Sequence, residues 1–255
     1  MQETILTFSF NSMSESQRSR NVVILGCSRG IGLGVLEYLA SDQICANLVG
    51  VVRKDADVSN LRSRFQSNSK VRIICGDVTD LAAMKHVAKQ VEELGIVPDL
   101  LLINAGVLTE PKPFDEISRA DMQHSFEVNV LGPQFAMAAF LPLMRKVDGA
   151  VMVNVSSGWG LWGEAGQASY CATKHALEGL VKCAALDVAD DPLAIVTVRP
   201  GVVNTGMLAV ALGSKEAAEQ RGVSVSTFAG QFCRKIFAIT KANSGTHIDC
   251  GYKGQ

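Results

Sequence analysis

The chain has 255 residues and a formal net charge of −1, and hydrophobic residues make up 47% of it. This composition is typical of a folded globular domain and argues against intrinsic disorder. The pI of about 6.4 indicates no basic field that would attract a nucleic acid or an acidic membrane surface, so neither kind of partner is expected.

Residues 1–20 are polar and rich in serine, and they lack the apolar centre of a secretory signal. We expect them to form a flexible N-terminal extension, and residues 21–255 to form a single domain. No apolar run reaches the length of a membrane span. The seven cysteines are scattered without C-x-x-C spacing, which favours reduced thiols in a cytoplasmic protein over a disulfide-bonded or reactive pair.

After residue 20, short β-branched runs alternate with longer amphipathic stretches. Strands are predicted at residues 21–26, 47–52, 71–75, 99–103, 150–155 and 193–198. Helices are predicted from 30 to about 40, at 81–94, at 167–188, and from Ser118, where Asp121 completes a capping box.

Nearly continuous apolar strands separated by helical segments predict an α/β fold, a single-domain doubly wound parallel sheet with helices on both faces. No linker, composition break or internal repeat divides it. Residues 205–225 are the least regular part, and their small and polar side chains predict a mobile substrate-loop region over a site.

The first predicted strand ends in a glycine-rich turn with the spacing G-x-x-x-G-x-G. Between a strand and a helix, such a turn directs free N–H groups and the positive end of the helix dipole at a phosphate. The candidate ligands here are Gly26, Ser28, Arg29, Gly30, Ile31 and Gly32. A structural turn of three glycines would show the same pattern, so the motif is weak by itself.

The second predicted strand ends at the cations Arg53 and Lys54, and the first acid is Asp55. NAD-selective sheets of this topology use an acid here to bind the ribose 2′-hydroxyl, whereas guanidinium groups such as those of Arg29 and Arg53 pair with a 2′-phosphate. The sequence therefore predicts NADP(H) in preference to NAD(H). If Arg53 and Lys54 are only solvated loop charges, the two cofactors should bind equally well.

Tyr170 and Lys174 lie four residues apart in the longest predicted helix, so both project from one face. A free tyrosine has a pKa of about 10, and a neighbouring ammonium should lower that pKa, so that Tyr170 becomes a plausible general acid. A chance pair on a helix surface would show the same spacing.

Further candidate residues follow the other strands, at the edge of a parallel sheet where ligands bind. Ser157 follows the fifth strand and should face the site, whereas Ser156 should point the other way. The remaining candidates at strand ends are Asn104, Ala105, Gly106, Pro200, Gly201, Val203 and Thr205, and Asn129 lies in the helix after the fourth strand.

Taken together, these motifs in residues 21–205 resemble the short-chain dehydrogenase/reductase family, nearest the NADPH-dependent carbonyl reductases of the C-factor and sniffer type. The resemblance implies a Rossmann fold and hydride transfer between NADP(H) and a carbonyl or alcohol carbon. It also implies that Tyr170 exchanges a proton with the substrate oxygen, that Ser157 hydrogen-bonds this oxygen, and that Lys174 binds the nicotinamide ribose and tunes Tyr170.

The resemblance further implies the cofactor contacts. Asp77 and Val78 would contact the adenine, and Asn104, Ala105 and Gly106 would support the adenosine side. Thr205 would reach the carboxamide, above a turn shaped by Pro200, Gly201 and Val203. Two departures from the family pattern, Leu25 in place of a threonine and Ile103 in place of an asparagine, fall at structural positions.

Asn129 precedes Pro133 by four residues. A helical proline cannot donate to the carbonyl at i−4 and bends the helix there. The Asn129 carbonyl should therefore bind a water, which the resemblance implies relays protons through Lys174. Replacing Pro133 with alanine is expected to close the helix hydrogen bond and slow turnover.

Apolar side chains follow three of the strand ends, namely Trp159, Leu161, Trp162, Val107, Leu108, Met207 and Leu208. They predict an apolar pocket, with Glu164 as its charged exception, for a small hydrophobic ketone, aldehyde or alcohol. Loop packing or a subunit contact is the alternative for the two tryptophans. No cluster of His, Asp and Glu has metal spacing, so no metal is expected.

Small residues line one face of the long helix, namely Ala168, Ala172, Ala176 and Gly179. They permit close helix packing, and the family resemblance implies a homodimer or homotetramer through this region. Packing within one subunit is the alternative.

Three functions compete with a carbonyl reductase. A 3-oxoacyl or steroid-type reductase of the same family would differ only in substrate. A non-catalytic NADP(H)-sensing protein is disfavoured, because such relatives typically lose the tyrosine or the lysine. A nucleotide-sugar epimerase normally needs a larger C-terminal domain than the roughly fifty residues that follow Thr205.

Overall fold

A computed structural model describes residues 19–42 and 44–251 of the chain, so most of the predicted N-terminal extension lies outside the described ranges. The strands are β1 (Arg20–Leu25), β2 (Cys45–Val52), β3 (Val71–Cys75), β4 (Leu100–Ile103), β5 (Val151–Val155), β6 (Ala194–Arg199) and β7 (His247–Asp249). The helices are α1 (Gly30–Ser41), α2 (Asp55–Arg64), α3 (Leu81–Glu93), α4 (Arg119–Phe126), α5 (Gly132–Met144), α6 (Ala168–Asp187), α7 (Gly206–Leu212), α8 (Lys215–Arg221) and α9 (Val225–Phe237).

The strands form a parallel sheet in the order β3-β2-β1-β4-β5-β6-β7. The chain runs outward from β1 to β3, returns to β4 beside β1, and then runs outward in the other direction. This confirms the predicted doubly wound sheet. Ligands of such sheets bind outside the carboxyl ends of the strands, at the point between β1 and β4 where the order reverses.

Apolar side chains cover both faces of the sheet, as a fully buried parallel sheet requires. On one face, Leu36 of α1 and Phe228 and Phe232 of α9 belong to one buried cluster. On the other face, Met84 of α3 and Phe140 of α5 belong to a second cluster. The strands are therefore held from both sides, and their carboxyl ends form a stable platform for loops.

The six predicted strands are confirmed to within two residues at each end. Arg20, assigned in the prediction to the flexible extension, instead begins β1 and pairs with Cys45. The short edge strand β7 was missed, because its three residues are mostly exposed and carry no apolar run.

The predicted irregularity of residues 205–225 was wrong. The helices α7 and α8 occupy most of this region, and they meet at Gly213, which has a φ of 66° that favours glycine. Thr205 caps the first helix and Ser214 caps the second through their side chains. The mobility of the region stays a prediction. Within the described ranges, no helix is both long and apolar enough to cross a membrane.

Candidate active site

The glycine-rich turn joins β1 to α1 at the reversal point of the sheet. Gly26 has a φ of 85°, and a Cβ there would lie 2.7 Å from the Ala105 backbone. A Cβ on Gly32 would lie 2.2 Å from the Gly26 carbonyl oxygen. These two positions must therefore be glycine for the turn to pack against α1 and the loop after β4.

The first turn of α1 is open to an anion. Its N-cap residue, Arg29, makes no side-chain capping bond, and the first turn contains no acid. Helices α3 and α9, by contrast, are capped by Asp80 and Ser224. Unpaired N–H groups at the positive end of a twelve-residue helix suit a phosphate, as the sequence predicted.

The predicted 2′-phosphate ligands lie at neighbouring strand ends. β1 and β2 are paired, and the Gly26 N–H donates to the Val51 carbonyl at 2.9 Å. The side chains of Arg29, Arg53 and Lys54 are all exposed beyond these ends. Asp55, the first acid after β2, lies in the first turn of α2, where the helix dipole favours a negative charge.

Asn104 supports the glycine turn directly. Its side-chain amide donates to the Gly26 carbonyl at 2.7 Å, and its backbone N–H donates to the Leu25 carbonyl at 3.1 Å. Ala105 also donates to Leu25, at 2.9 Å. Both residues therefore hold the shape of the turn, and direct contact with a cofactor stays a prediction.

Asp77 and Val78 follow β3. The Asp77 carboxylate accepts hydrogen bonds from the Thr79 N–H and hydroxyl at 2.9 and 2.8 Å. Val78 is buried against α5, where a Cβ on Gly132 would approach it to 3.0 Å. The structure thus places both residues at the carboxyl edge, and their contact with an adenine stays a prediction.

Ser156 and Ser157 point in opposite directions at the end of β5, as predicted. The Ser156 hydroxyl is buried and donates to the Glu178 carboxylate at 2.7 Å. The Ser157 hydroxyl is half-buried, accepts from the Trp159 N–H at 3.2 Å and hydrogen-bonds Tyr170. Ser157 is therefore the serine that shares a site with the tyrosine.

Tyr170 is buried in α6, with 6% of its surface exposed. Burial raises the pKa of its phenol above the usual value, and the hydrogen bond from Ser157 opposes this rise. The sequence-based expectation of a lowered pKa was therefore wrong. Desolvation of the phenolate outweighs the hydrogen bond from Ser157, and the Lys174 ammonium, 5.4 Å from the ring centroid, is not among the groups that lower this pKa.

Lys174 lies one helical turn after Tyr170, with 4% of its surface exposed. Its ammonium group donates to the Val155 carbonyl at 2.9 Å. Burial lowers the pKa of Lys174 to about 8, and the Glu178 carboxylate opposes that change. The chance pairing of Tyr170 and Lys174 on a helix surface is thereby excluded, because both side chains are buried and meet at the strand ends.

Asn129 is fully buried in a π-helical segment, Glu127–Leu131, between α4 and α5. Its side chain binds both backbone groups of Val107 at 2.8 Å and donates to the Thr173 hydroxyl at 3.1 Å. Pro133 lacks an N–H for the Asn129 carbonyl, so the predicted helix distortion is confirmed. The water relay and the effect of replacing Pro133 stay predictions.

Gly106 brings this segment close to the lysine. A Cβ on Gly106 would lie 3.3 Å from the Asn129 side-chain oxygen and 4.0 Å from the Lys174 nitrogen. The loop after β4 therefore joins the phosphate end of the site to its catalytic end.

The turn after β6 borders the site at the carboxyl edge of the sheet, next to the end of β5. Pro200 and Val203 are buried, and Gly201 has a φ of 76°. Thr205 faces the glycine turn, since a Cβ on Gly30 would lie 3.6 Å from its methyl group. The Thr205 hydroxyl caps α7 by accepting from the Leu208 N–H, and its contact with a carboxamide stays a prediction.

Two apolar side chains, Trp159 and Met207, contact Tyr170. Trp159 packs edge-on against Tyr170, with ring centroids 5.8 Å apart. The Met207 sulfur lies 3.9 Å from the Tyr170 hydroxyl oxygen. Trp162 packs over Gly158 and is 54% exposed at the rim. Trp159 therefore contacts Tyr170, whereas Trp162 packs on the loop at Gly158.

One cluster beside the site was not predicted from the sequence. The carboxylate of Glu178 accepts hydrogen bonds from Ser156, Thr197 and Arg199, and all four residues are buried. The signal in the sequence was the spacing, because Glu178 follows Lys174 by four residues on the same helix face.

These residues fit a nicotinamide dinucleotide. The glycine turn leaves its backbone open to a close approach by the cofactor, which a Cβ would block. The uncapped start of α1 and the exposed cations suit the phosphates of the cofactor. Ser157, Tyr170 and Lys174 lie at the opposite end of the same edge, where a reacting carbonyl could contact the phenol. The arrangement therefore favours hydride chemistry on a carbonyl or alcohol.

Comparisons with known proteins agree with this arrangement. The profile of the family described as short chain dehydrogenase matches residues 20–215. The chain is 32% identical over 227 residues to the NADPH-dependent pterin aldehyde reductase of Arabidopsis thaliana. This alignment covers 89% of this chain and 91% of that protein.

Solved structures share the fold over almost the whole chain. The NADPH-bound carbonyl reductase from chicken fatty liver superposes with a TM-score of 0.80 at 26% identity, covering 93% of this chain and 99% of that chain. The carbonyl reductase Sniffer of D. melanogaster superposes with a TM-score of 0.82 at 22% identity over the same shares, which shows a common fold. The chain therefore belongs to the short-chain dehydrogenase/reductase family and is an NAD(P)-dependent oxidoreductase of carbonyl and alcohol groups.

Proposed function

We propose that the protein is an NADPH-dependent reductase of an apolar or aromatic aldehyde or ketone. The single observation that carries this proposal is the buried group of Ser157, Tyr170 and Lys174 at the carboxyl edge, with Trp159 and Met207 in contact with the tyrosine. The bound cofactor would supply the hydride, and the chain supplies the proton and the positioning.

Tyr170 holds the proton that the substrate oxygen needs. Its raised pKa keeps the phenol protonated near neutral pH, as a general acid for reduction requires. Ser157 contacts the phenol and can donate to the same substrate oxygen. Lys174, held at the Val155 carbonyl, provides a positive charge that stabilises the phenolate left after proton transfer.

The preference for NADP(H) follows from the exposed cations at the ends of β1 and β2. Arg29, Arg53 and Lys54 can pair with a 2′-phosphate, and the nearest acid, Asp55, belongs to the start of α2. A 32% identical relative is NADPH-dependent by name, which supports the same preference.

An aromatic aldehyde is favoured among the possible substrates. The residues in contact with Tyr170 are a tryptophan and a methionine, and a flat ring can stack on such side chains. The similarity to a pterin aldehyde reductase makes a pterin aldehyde the first heteroaromatic compound to assay. A 3-oxoacyl or steroid-type substrate is the competing class.

We further propose a homo-oligomer through α6. Ala168, Ala172 and Ala176 are only partly buried, and a Cβ on Gly179 would meet no atom within 4 Å in the described part of the chain. This helix face is therefore available to a second subunit, and light scattering at micromolar concentration would measure the assembly.

Cofactor oxidation by the purified protein tests the proposed reaction. NADPH and NADH would be compared with a pterin aldehyde, apolar ketones, aromatic aldehydes and a 3-oxoacyl thioester. We expect turnover with NADPH and at least a 100-fold loss in Tyr170→Phe, because this variant lacks the transferable proton. NADPH binding should be unchanged in the variant. Turnover that survives in Tyr170→Phe, or none with any carbonyl compound, would reject the proposal.

A further inference from the structure

The buried face of α6 carries three ionisable side chains in a row, spaced four residues apart. Tyr170 and Lys174 belong to the candidate site, and Glu178 follows one turn later. Glu178 is 7% exposed and therefore needs partners to remain ionised. It has them on β6 and directly after β5.

The Glu178 carboxylate ties together the ends of β5 and β6. One oxygen accepts from the Ser156 hydroxyl at 2.7 Å and from the Arg199 guanidinium at 3.4 Å. The other accepts from the Thr197 hydroxyl at 2.7 Å. Arg199 is itself 4% exposed and has Asp249 of β7 as a distant second carboxylate, at 3.9 Å. Three elements are thus joined at one buried carboxylate.

Two of these partners, Ser156 and Arg199, adjoin residues of the candidate site. Ser156 directly precedes Ser157, and Arg199 directly precedes the Pro200-Gly201 turn. The Val155 carbonyl, which holds the Lys174 ammonium at 2.9 Å, lies one residue before Ser156. A displacement of the carboxylate would therefore move the serine, the turn and the lysine together.

We propose that Glu178 is a positioning residue for the reaction, acting through the Lys174 ammonium and through the strand ends that carry Ser157 and Pro200. This inference rests on the proposed function of the site. Glu178 does not contact the reacting atoms. Its negative charge, one turn from Lys174, keeps the buried ammonium protonated, and its hydrogen bonds hold the two strand ends in register.

Other charges around Lys174 do not replace this carboxylate. The titratable side chains on α6 are Tyr170, Cys171, Lys174, His175, Glu178, Lys182, Cys183 and Asp187. Those on the elements packed against it are Arg119, Asp121, His124, Glu127 and Arg199. Burial lowers the pKa of Lys174, and Glu178 is the charge that raises it. Without Glu178, the ammonium should lose its proton closer to neutral pH.

The pH profile of Glu178→Gln tests this inference, because a purely structural role would not shift it. Reduction requires protonated Lys174, so activity should fall as pH rises through its pKa. In Glu178→Gln the pH at which activity falls to half should be lower by about 1. In Glu178→Asp, which keeps the charge, activity should fall at nearly the wild-type pH. Thr197→Val, which removes one hydrogen bond only, should leave that pH unchanged.

A direct titration of Lys174 needs no substrate. Protein labelled at the lysine ε-carbon would be followed by NMR, with the Lys174 signal assigned by its loss in Lys174→Met. The titration midpoint should lie at a pH lower by about 1 in Glu178→Gln. If that variant does not fold, the double variant Glu178→Gln with Arg199→Met leaves no unpaired buried guanidinium and should show a smaller change in the same direction.

Each outcome decides the inference. A Lys174 midpoint that is the same in wild type and in a folded Glu178→Gln overturns it, as does a wild-type midpoint at the ordinary lysine value of about 10.5. A midpoint that moves while no carbonyl compound is reduced confirms the action of Glu178 on Lys174 and rejects the proposed reaction instead.

Discussion

The carboxyl edge of the sheet has two halves that recognise their ligands by different means. In the half formed by β1, β2 and β3, the candidate ligands are backbone N–H groups of the glycine turn and the exposed side chains of Arg29, Arg53 and Lys54. In the half formed by β4, β5 and β6, they are side chains such as Lys174, which is buried and already hydrogen-bonded.

This difference determines what a substitution can change. An exposed cation can be replaced with little effect on folding, because water solvates both the old and the new side chain. A buried charge is coupled to its neighbours, so its replacement changes both stability and chemistry. Cofactor preference should therefore be easy to alter by mutation, and the reaction itself difficult.

The largest effect is expected where the two halves meet. In Gly32→Ala, the new Cβ would lie 2.2 Å from the Gly26 carbonyl oxygen and 2.6 Å from the Asn104 side-chain nitrogen. Helix α1 must then move away from the turn. We expect a loss of about 3 kcal/mol in the free energy of unfolding and a fall in NADPH affinity of more than about 100-fold, measured by urea denaturation and by calorimetry.

Gly163→Ala is the matched control for this substitution. A Cβ there meets no atom within 4 Å in the described part of the chain, so alanine should leave stability unchanged or raise it by up to about 1 kcal/mol. Wild-type stability and affinity in Gly32→Ala would show that the two halves are not joined at this glycine.

An intermediate effect is expected in the exposed half alone. Arg53→Ala with Lys54→Ala should weaken NADPH binding by about 10- to 100-fold, because charge-assisted hydrogen bonds to a phosphate are lost. NADH affinity and the melting temperature should not change. Fluorescence titration with both cofactors measures the effect, and Lys85→Ala, an exposed lysine of α3, is the control. Equal weakening for both cofactors would refute the 2′-phosphate assignment.

The smallest effect is expected in the buried half, and it is a gain in stability. Lys174→Met removes an ammonium whose pKa burial lowers to about 8. A difference of 1 between the folded and unfolded pKa values corresponds to about 1.4 kcal/mol, and loss of the bond to Val155 costs about 1 kcal/mol. The variant should therefore be more stable than wild type by about 2 kcal/mol at pH 7, although inactive.

The sign of this effect depends on pH. Between about 8 and the ordinary lysine pKa of about 10.5, the unfolded chain binds the proton and the folded chain does not, so wild-type stability rises with pH. The advantage of Lys174→Met should be full below pH 8 and shrink above it. Urea denaturation at pH 7 and pH 9.5 measures this, and a variant less stable than wild type at both values would contradict it.

The exposed half was the more predictable from the sequence. A strand that ends in G-x-x-x-G-x-G specifies a turn by steric requirement at Gly26 and Gly32, and Arg53 and Lys54 lie at a strand end that periodicity identifies. In the buried half, the residue types at Ser157, Tyr170 and Lys174 were identified, but the direction of the Tyr170 pKa was not. The expectation considered the nearby ammonium and omitted the desolvation, which depends on how the chain packs.

The sequence by itself determined the order of the first six strands, the parallel sheet and the glycine turn, and it singled out Ser157, Tyr170 and Lys174 as candidate site residues. These follow from local periodicity, steric limits at glycine and the rule that parallel strands share a carboxyl edge. Only the tertiary structure decided which charges are buried and which groups they meet. Glu178 contacts Ser156, Thr197 and Arg199 across 19 to 22 positions of the chain, and electrostatic energies depend on such distances and on burial rather than on sequence spacing.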